Sequence, residues 1–70
     1  MKVKLNGKVE NIITNKGSLT LAEVIAKMGF NSKLIVVEFN GIIINKQLWE
    51  NQKVKSGDIL EIVTIVGGGS

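Results

Sequence analysis

Only one segment of this chain has the pattern of a helix, and it is too short to stand alone. Thr20 occupies an N-cap position, with Glu23 three residues on, the spacing of a capping box. Leu19 and Val24 fall where a hydrophobic staple would sit. Leu21, Val24, Ile25 and Met28 follow at i, i+3, i+4 and i+7 and share one face. Gly29 is placed to close the helix in a left-handed conformation. About two turns result, fewer than an isolated peptide holds in water. The apolar stripe must therefore pack against a sheet.

The remainder of the chain reads as strands. Lys2 to Leu5 alternates polar and apolar residues, and Lys8 to Ile13 returns after Asn6-Gly7, a pair suited to a two-residue type I′ turn. Thr14 to Gly17 has the composition of a loop. Ile35 to Phe39 is strongly β-forming, Asn40-Gly41 is a second hairpin turn, and Ile42 to Ile44 is its second arm. Asn45 to Lys55 shows little periodicity and holds Trp49, expected in a short helical turn that closes one end of the core. After a turn at Ser56-Gly57-Asp58, Ile59 to Val66 is the longest apolar strand and suits the centre of a sheet.

Two strands, a helix, two strands, a connecting segment and a last strand leave few topologies once right-handed crossovers are required. The economical one is a mixed sheet of about five strands packed on one helix, with the first and last strands as parallel neighbours. This is the α+β architecture called the β-grasp, or ubiquitin-like, fold. The expected organisation is one domain over residues 1–66 and a flexible glycine-rich tail over residues 67–70.

Glu38 and Glu61 orient two of the strands. With both in solvent, Val37, Phe39, Leu60 and Ile62 face inward, and Val36, Val63 and Ile65 face outward. Three exposed β-branched residues together would form an apolar patch, a candidate partner interface.

Function classes fall away quickly. The chain has no cysteine and no histidine. It therefore has no thiol nucleophile, no usual catalytic triad and no ordinary zinc site. The serines Ser18, Ser32 and Ser56 lie in turns or caps, and the six acids are dispersed. Asp58 and Glu61 are three apart but span a turn and a strand, so they read as a turn acceptor and a solvated residue. No metal site, cofactor or catalytic residue is expected, and the chain does not read as an enzyme. The nine lysines are spread along the chain without arginine, and the net charge is only +3. That is a weak field for nucleic acid. No apolar run reaches the roughly 18 residues of a membrane span. A cytoplasmic protein is the simplest expectation.

The end of the chain is the most informative part. Gly67, Gly68 and Gly69 have no β-carbon and follow a strand directly. Four extended residues reach roughly 13–14 Å, so such a tail could thread a narrow channel in another protein. Gly-Gly-Gly-Ser lacks a phosphate-loop lysine, and no helix follows it, which excludes a Walker-type cradle.

The stretch from Val36 to Gly69, VVEFNGIIINKQLWENQKVKSGDILEIVTIVGGG, resembles the sulfur carrier protein ThiS family of thiamin biosynthesis. The matching features are the strand ending at Asn40-Gly41, Trp49, the Gly57-Asp58 turn, the Glu61-Ile62-Val63 strand and the glycine-rich end. Leu5 to Lys8, LNGK, also fits. The resemblance implies a carrier whose C-terminal glycine is adenylated by an E1-like enzyme of the ThiF type. A persulfide-bearing cysteine desulfurase would supply sulfur, and a thiazole synthase of the ThiG type would accept it from a thiocarboxylate. By position Gly68-Gly69 is the diglycine and Gly69 the modified residue, so Ser70 must leave before Gly69 has a free carboxyl. The chain departs from the family pattern in its terminal serine, its positive charge and the lack of a proline within Ile43 to Asn45. Other readings of the same features are a carrier like the small subunit of molybdopterin synthase, a ubiquitin-like protein modifier, and a β-grasp binding module with an inert tail.

Overall fold

A computed structural model of the chain describes residues 1–65. The expected tail, Gly67 to Ser70, lies outside the described residues. Seven strands and one helix succeed one another: β1 (Lys2–Leu5), β2 (Lys8–Asn11), β3 (Leu19–Thr20), α1 (Leu21–Met28), β4 (Ile35–Phe39), β5 (Ile42–Ile43), β6 (Lys53–Val54) and β7 (Ile59–Thr64). Five of them form one sheet in the order β2-β1-β7-β4-β5. β1 and β7 run parallel and the other neighbours antiparallel, so the sheet is mixed with the last strand at its centre, as the sequence predicts.

Local chemistry accounts for the turns and the helix. Asn6 and Gly7 both take positive φ (51° and 83°), as do Asn40 and Gly41 (50° and 89°), which a type I′ turn requires. In α1 the Thr20 hydroxyl accepts from the Glu23 N–H at 3.1 Å, and the Glu23 carboxylate accepts from the Thr20 N–H at 2.8 Å. The first two helical N–H groups have no partner within the helix. Leu21 donates to the Gln52 carbonyl at 2.7 Å and Ala22 to the Trp49 carbonyl at 3.1 Å. Gly29 ends the helix at φ 83°, and its N–H donates to the Ala26 carbonyl. Leu21, Val24 and Ile25 are buried from this face and Met28 packs beside them half-buried.

The core lies between α1 and the sheet. Val3 and Leu5 of β1, Val37 of β4 and Leu60 and Ile62 of β7 meet the helix stripe there, with Leu19, Val54 and Trp49 closing one end. Trp49 follows a 3-10 turn over Lys46–Leu48, and its indole N–H donates to the Ile44 carbonyl at 2.9 Å.

Three boundaries differ from expectation. β2 stops at Asn11 rather than Ile13, because its partner strand runs out at Met1; Ile12 still exchanges hydrogen bonds with Met1, and Ile13 projects into solvent. β5 stops at Ile43, and β7 at Thr64. A feature the periodicity does not carry is the small second sheet, where Leu19 pairs with Val54 and Thr20 with Lys53. Two-residue strands are too short to display alternation.

Candidate functional site

Of the residues singled out from sequence, Val63 lies near the C-terminal end of the central strand β7, Ile65 just past that end, and Val36 beside them on β4. Strand alternation buries Val37 and Ile62 on the helix side and turns Val36 and Val63 to the open face. Val36 is paired in register with Val63. Their exposures are 36% and 62%, and that of Ile65 is 49%. Ile43 and Ile59 are also exposed, and the register continues the apolar surface to them past Glu38 and Glu61. The Ile65 N–H donates to the Leu34 carbonyl at 2.6 Å, which holds the end of the strand beside this patch. The candidate modified residue Gly69, with Gly67 and Gly68, lies outside the described residues.

The residues that carried the resemblance have structural work at the other end of β7. The Asp58 carboxylate accepts from the Lys55 N–H at 2.9 Å and from the Asn40 side-chain amide at 3.2 Å. The Asn40 carbonyl oxygen in turn accepts from the Ile59 N–H at 2.8 Å. Asn40 and Asp58 thereby tie the β4–β5 turn to the start of the central strand. Asn6 does the same from the other hairpin, accepting from the Ile62 N–H at 2.7 Å. Sequence reading identified both asparagines as turn formers and missed their side-chain bonds to β7, because those partners lie 56 and 19 positions away.

Among the described residues no group of three or more Asp or Glu side chains could hold a metal ion. The one carboxylate with a resolved shift is Glu23, held below its ordinary value by the Thr20 N–H first and then by Lys16, whose ammonium lies 3.2 Å away. Those contacts serve the helix cap. A groove beside α1, lined by Ala22, Ile25, Phe30 and Trp49, brings only Lys46 and Glu50 as charged groups.

The ThiS family model matches this chain over residues 3–69. The chain belongs to the ThiS family. ThiS-family proteins are sulfur carriers of thiamin biosynthesis, and this chain is of that class. Its sequence is 33% identical over 67 residues to the sulfur carrier protein ThiS of Bacillus subtilis (strain 168), covering 96% of this chain and 98% of the relative. It is 36% identical over 70 residues to a protein of Paramagnetospirillum magneticum named thiazole synthase. There it covers all of this chain but 21% of that longer protein. The crystal structure of a thiamine biosynthesis protein (ThiS) from Geobacter metallireducens superposes with a TM-score of 0.84 at 27% identity, over 99% of this chain and 100% of that one. The ThiS fold is therefore the β-grasp seen here, with the last strand at the centre of the sheet.

Proposed function

We propose that this ThiS-family chain is a protein substrate, not an enzyme, and that it carries sulfur as a thiocarboxylate on Gly69. The observation that carries this reading is the family match, which continues through residue 69 and so takes in all three glycines. Hydrolysis of the Gly69–Ser70 bond frees the Gly69 carboxylate. A carboxylate is a poor electrophile; transfer of AMP from ATP, with loss of pyrophosphate, makes it a reactive acyl-adenylate. Persulfide sulfur then displaces AMP to give an acyl disulfide, and a thiol attacks the outer sulfur of that S–S bond, is oxidised to a disulfide with it, and leaves the thiocarboxylate on Gly69. Glycine suits this position because no side chain obstructs attack or entry into a partner's channel.

The partners in this reading are an adenylating enzyme of the ThiF type, a persulfide-bearing cysteine desulfurase and a thiazole synthase of the ThiG type. The Paramagnetospirillum relative supports the last: its name is thiazole synthase, and a segment of it matches this whole chain. Val36, Val63 and Ile65 form the partner face. From Ile65 to Gly69 four residues span at most about 14 Å, so a partner seated on that face has the chain terminus within reach. In this reading the work is done in the cytoplasm, where ATP and a persulfide donor are both at hand. None of the described helices is long and apolar enough to cross a membrane.

The test is an intact mass after incubation with the adenylating enzyme, ATP and a sulfur donor. A chain ending at Gly69 should exchange one terminal oxygen for sulfur, and a chain that retains Ser70 should not. An unchanged mass for the shortened chain, under conditions that convert a known ThiS, overturns the proposal.

A further inference from the structure

The register of the two central strands sets Glu38 of β4 directly opposite Glu61 of β7. Because Val37, Leu60 and Ile62 are buried on the helix side, both carboxylates leave on the open face. Like charges facing each other across paired strands repel. Sheets commonly relieve this with a cation on the next strand, yet among the described residues the ion pair formed is Lys16–Glu23, at the helix cap. Lys4 is the nearest lysine in register, beside Ile59 on β1, and its ammonium does not pair with Glu61. The two carboxylates are enclosed by exposed apolar side chains: Val36 and Val63 toward the end of the strands, Ile59 toward their start, and Ile43 on β5.

A protein seated on this face takes water from both carboxylates at once. Burying unpaired charge costs far more than covering a few aliphatic side chains returns. The face therefore admits only a partner that brings a cation to the Glu38–Glu61 pair. We infer that the protein docking here inserts an arginine whose guanidinium bridges the two carboxylates, ringed by apolar side chains that cover Val36, Val63 and Ile59. Directly opposed residues hold their β-carbons about 4.5–5.5 Å apart, a spacing that the planar fork of a guanidinium spans and a compact, strongly hydrated ammonium serves less well. The chain has no arginine of its own, so a second copy cannot supply this group. On a molecule of net charge +3, a local acidic pair draws a cationic surface to one face and leaves it repelled elsewhere. The inference rests on the reading of Val36 and Val63 as the partner face and adds the charge and residue type of what docks there.

The experiment measures the affinity of the full chain for its adenylating enzyme at low and high salt, together with thermal melting of the free chain. The variant E38Q/E61Q removes the charge and keeps the shape. It should melt at or above the wild-type temperature, because the repulsion is gone, yet bind roughly 10- to 100-fold more weakly and lose most of the salt dependence. A purely structural role for the pair would not move stability and affinity in opposite directions. The neutral variant V36S/V63S tests the face separately. If V36S/V63S weakens binding and E38Q/E61Q does not, the arginine is wrong and the face stands. If neither weakens binding, the face is wrong and the inference falls with it. Arginine-selective modification of the enzyme should be blocked by the wild-type chain and not by E38Q/E61Q; protection of a lysine instead overturns the guanidinium. Self-association of the wild-type chain that E38Q/E61Q abolishes would assign the face to a second copy and also overturn it.

Discussion

The side-chain oxygen of Asn6 accepts the backbone N–H of Ile62 at 2.7 Å. β1 pairs with β7 at Lys4–Ile59 and Leu5–Leu60 and then turns away. The Asn6 N–H still donates to the Leu60 carbonyl at 2.9 Å, and its side-chain oxygen supplies the next bond of the parallel ladder in place of a backbone carbonyl. One residue sets the hairpin turn and anchors the strand that leads to the glycines.

Two substitutions separate those roles. Asn6→Gly keeps positive φ and removes the bond to Ile62, and should cost about 1 kcal/mol. Asn6→Ala removes the bond and also puts alanine, which tolerates the left-handed region less well than asparagine does, at that positive φ, raising the cost to about 2–3 kcal/mol. Urea midpoints at constant slope report both values. Equal losses for the two would mean that the side-chain bond and not the turn carries the effect.

The capping box on α1 gives a pH prediction with a definite sign. Glu23 is held below its ordinary value by the Thr20 N–H and by Lys16. A lowered folded value means stability that is present above the unfolded value, about 4.3, and lost as pH falls through the folded one. Wild type should therefore lose its advantage over Glu23→Gln progressively as pH drops below about 4.3. Denaturant titrations of both proteins across that range check it; a gap that widens on acidification contradicts it. Thr20→Ala should cost about 1 kcal/mol at neutral pH.

Trp49 is 4% exposed and bonded to the Ile44 carbonyl. Trp49→Phe should destabilise the fold by about 2–3 kcal/mol through lost packing and an unanswered carbonyl. Wild-type fluorescence should be blue-shifted when folded and move red on unfolding. An emission maximum already in the solvent range in the native protein would contradict the burial.

Neighbouring residues on β7 should respond oppositely to the same charge. Ile62→Asp places an unpaired carboxylate in the core and should abolish folding. Val63→Asp should stay within about 1 kcal/mol of wild type and weaken binding to the adenylating enzyme. Circular dichroism and a binding titration distinguish the two, and an unfolded Val63→Asp protein would reassign that residue to the core.

The elements that could be read from the linear chain are those whose cause lies within a few residues. The ends of α1 follow from Thr20, Glu23 and Gly29, and the hairpins from two Asn-Gly pairs that tolerate positive φ. Strand parity placed Val36, Val63 and Ile65 outward because β4 and β7 alternate without a bulge in their paired stretch. Folding in three dimensions decided the rest. Leu19 meets Val54 in a pair too short to leave a periodic trace. The side chains of Asn6 and Asn40 find donors on a strand that exists only once the sheet has assembled. The opposition of Glu38 and Glu61 depends on a register between strands more than twenty residues apart. Local torsions and alternation are properties of neighbouring residues; register and side-chain partnership between distant strands are properties of the packed core, and no nearest-neighbour pattern records them.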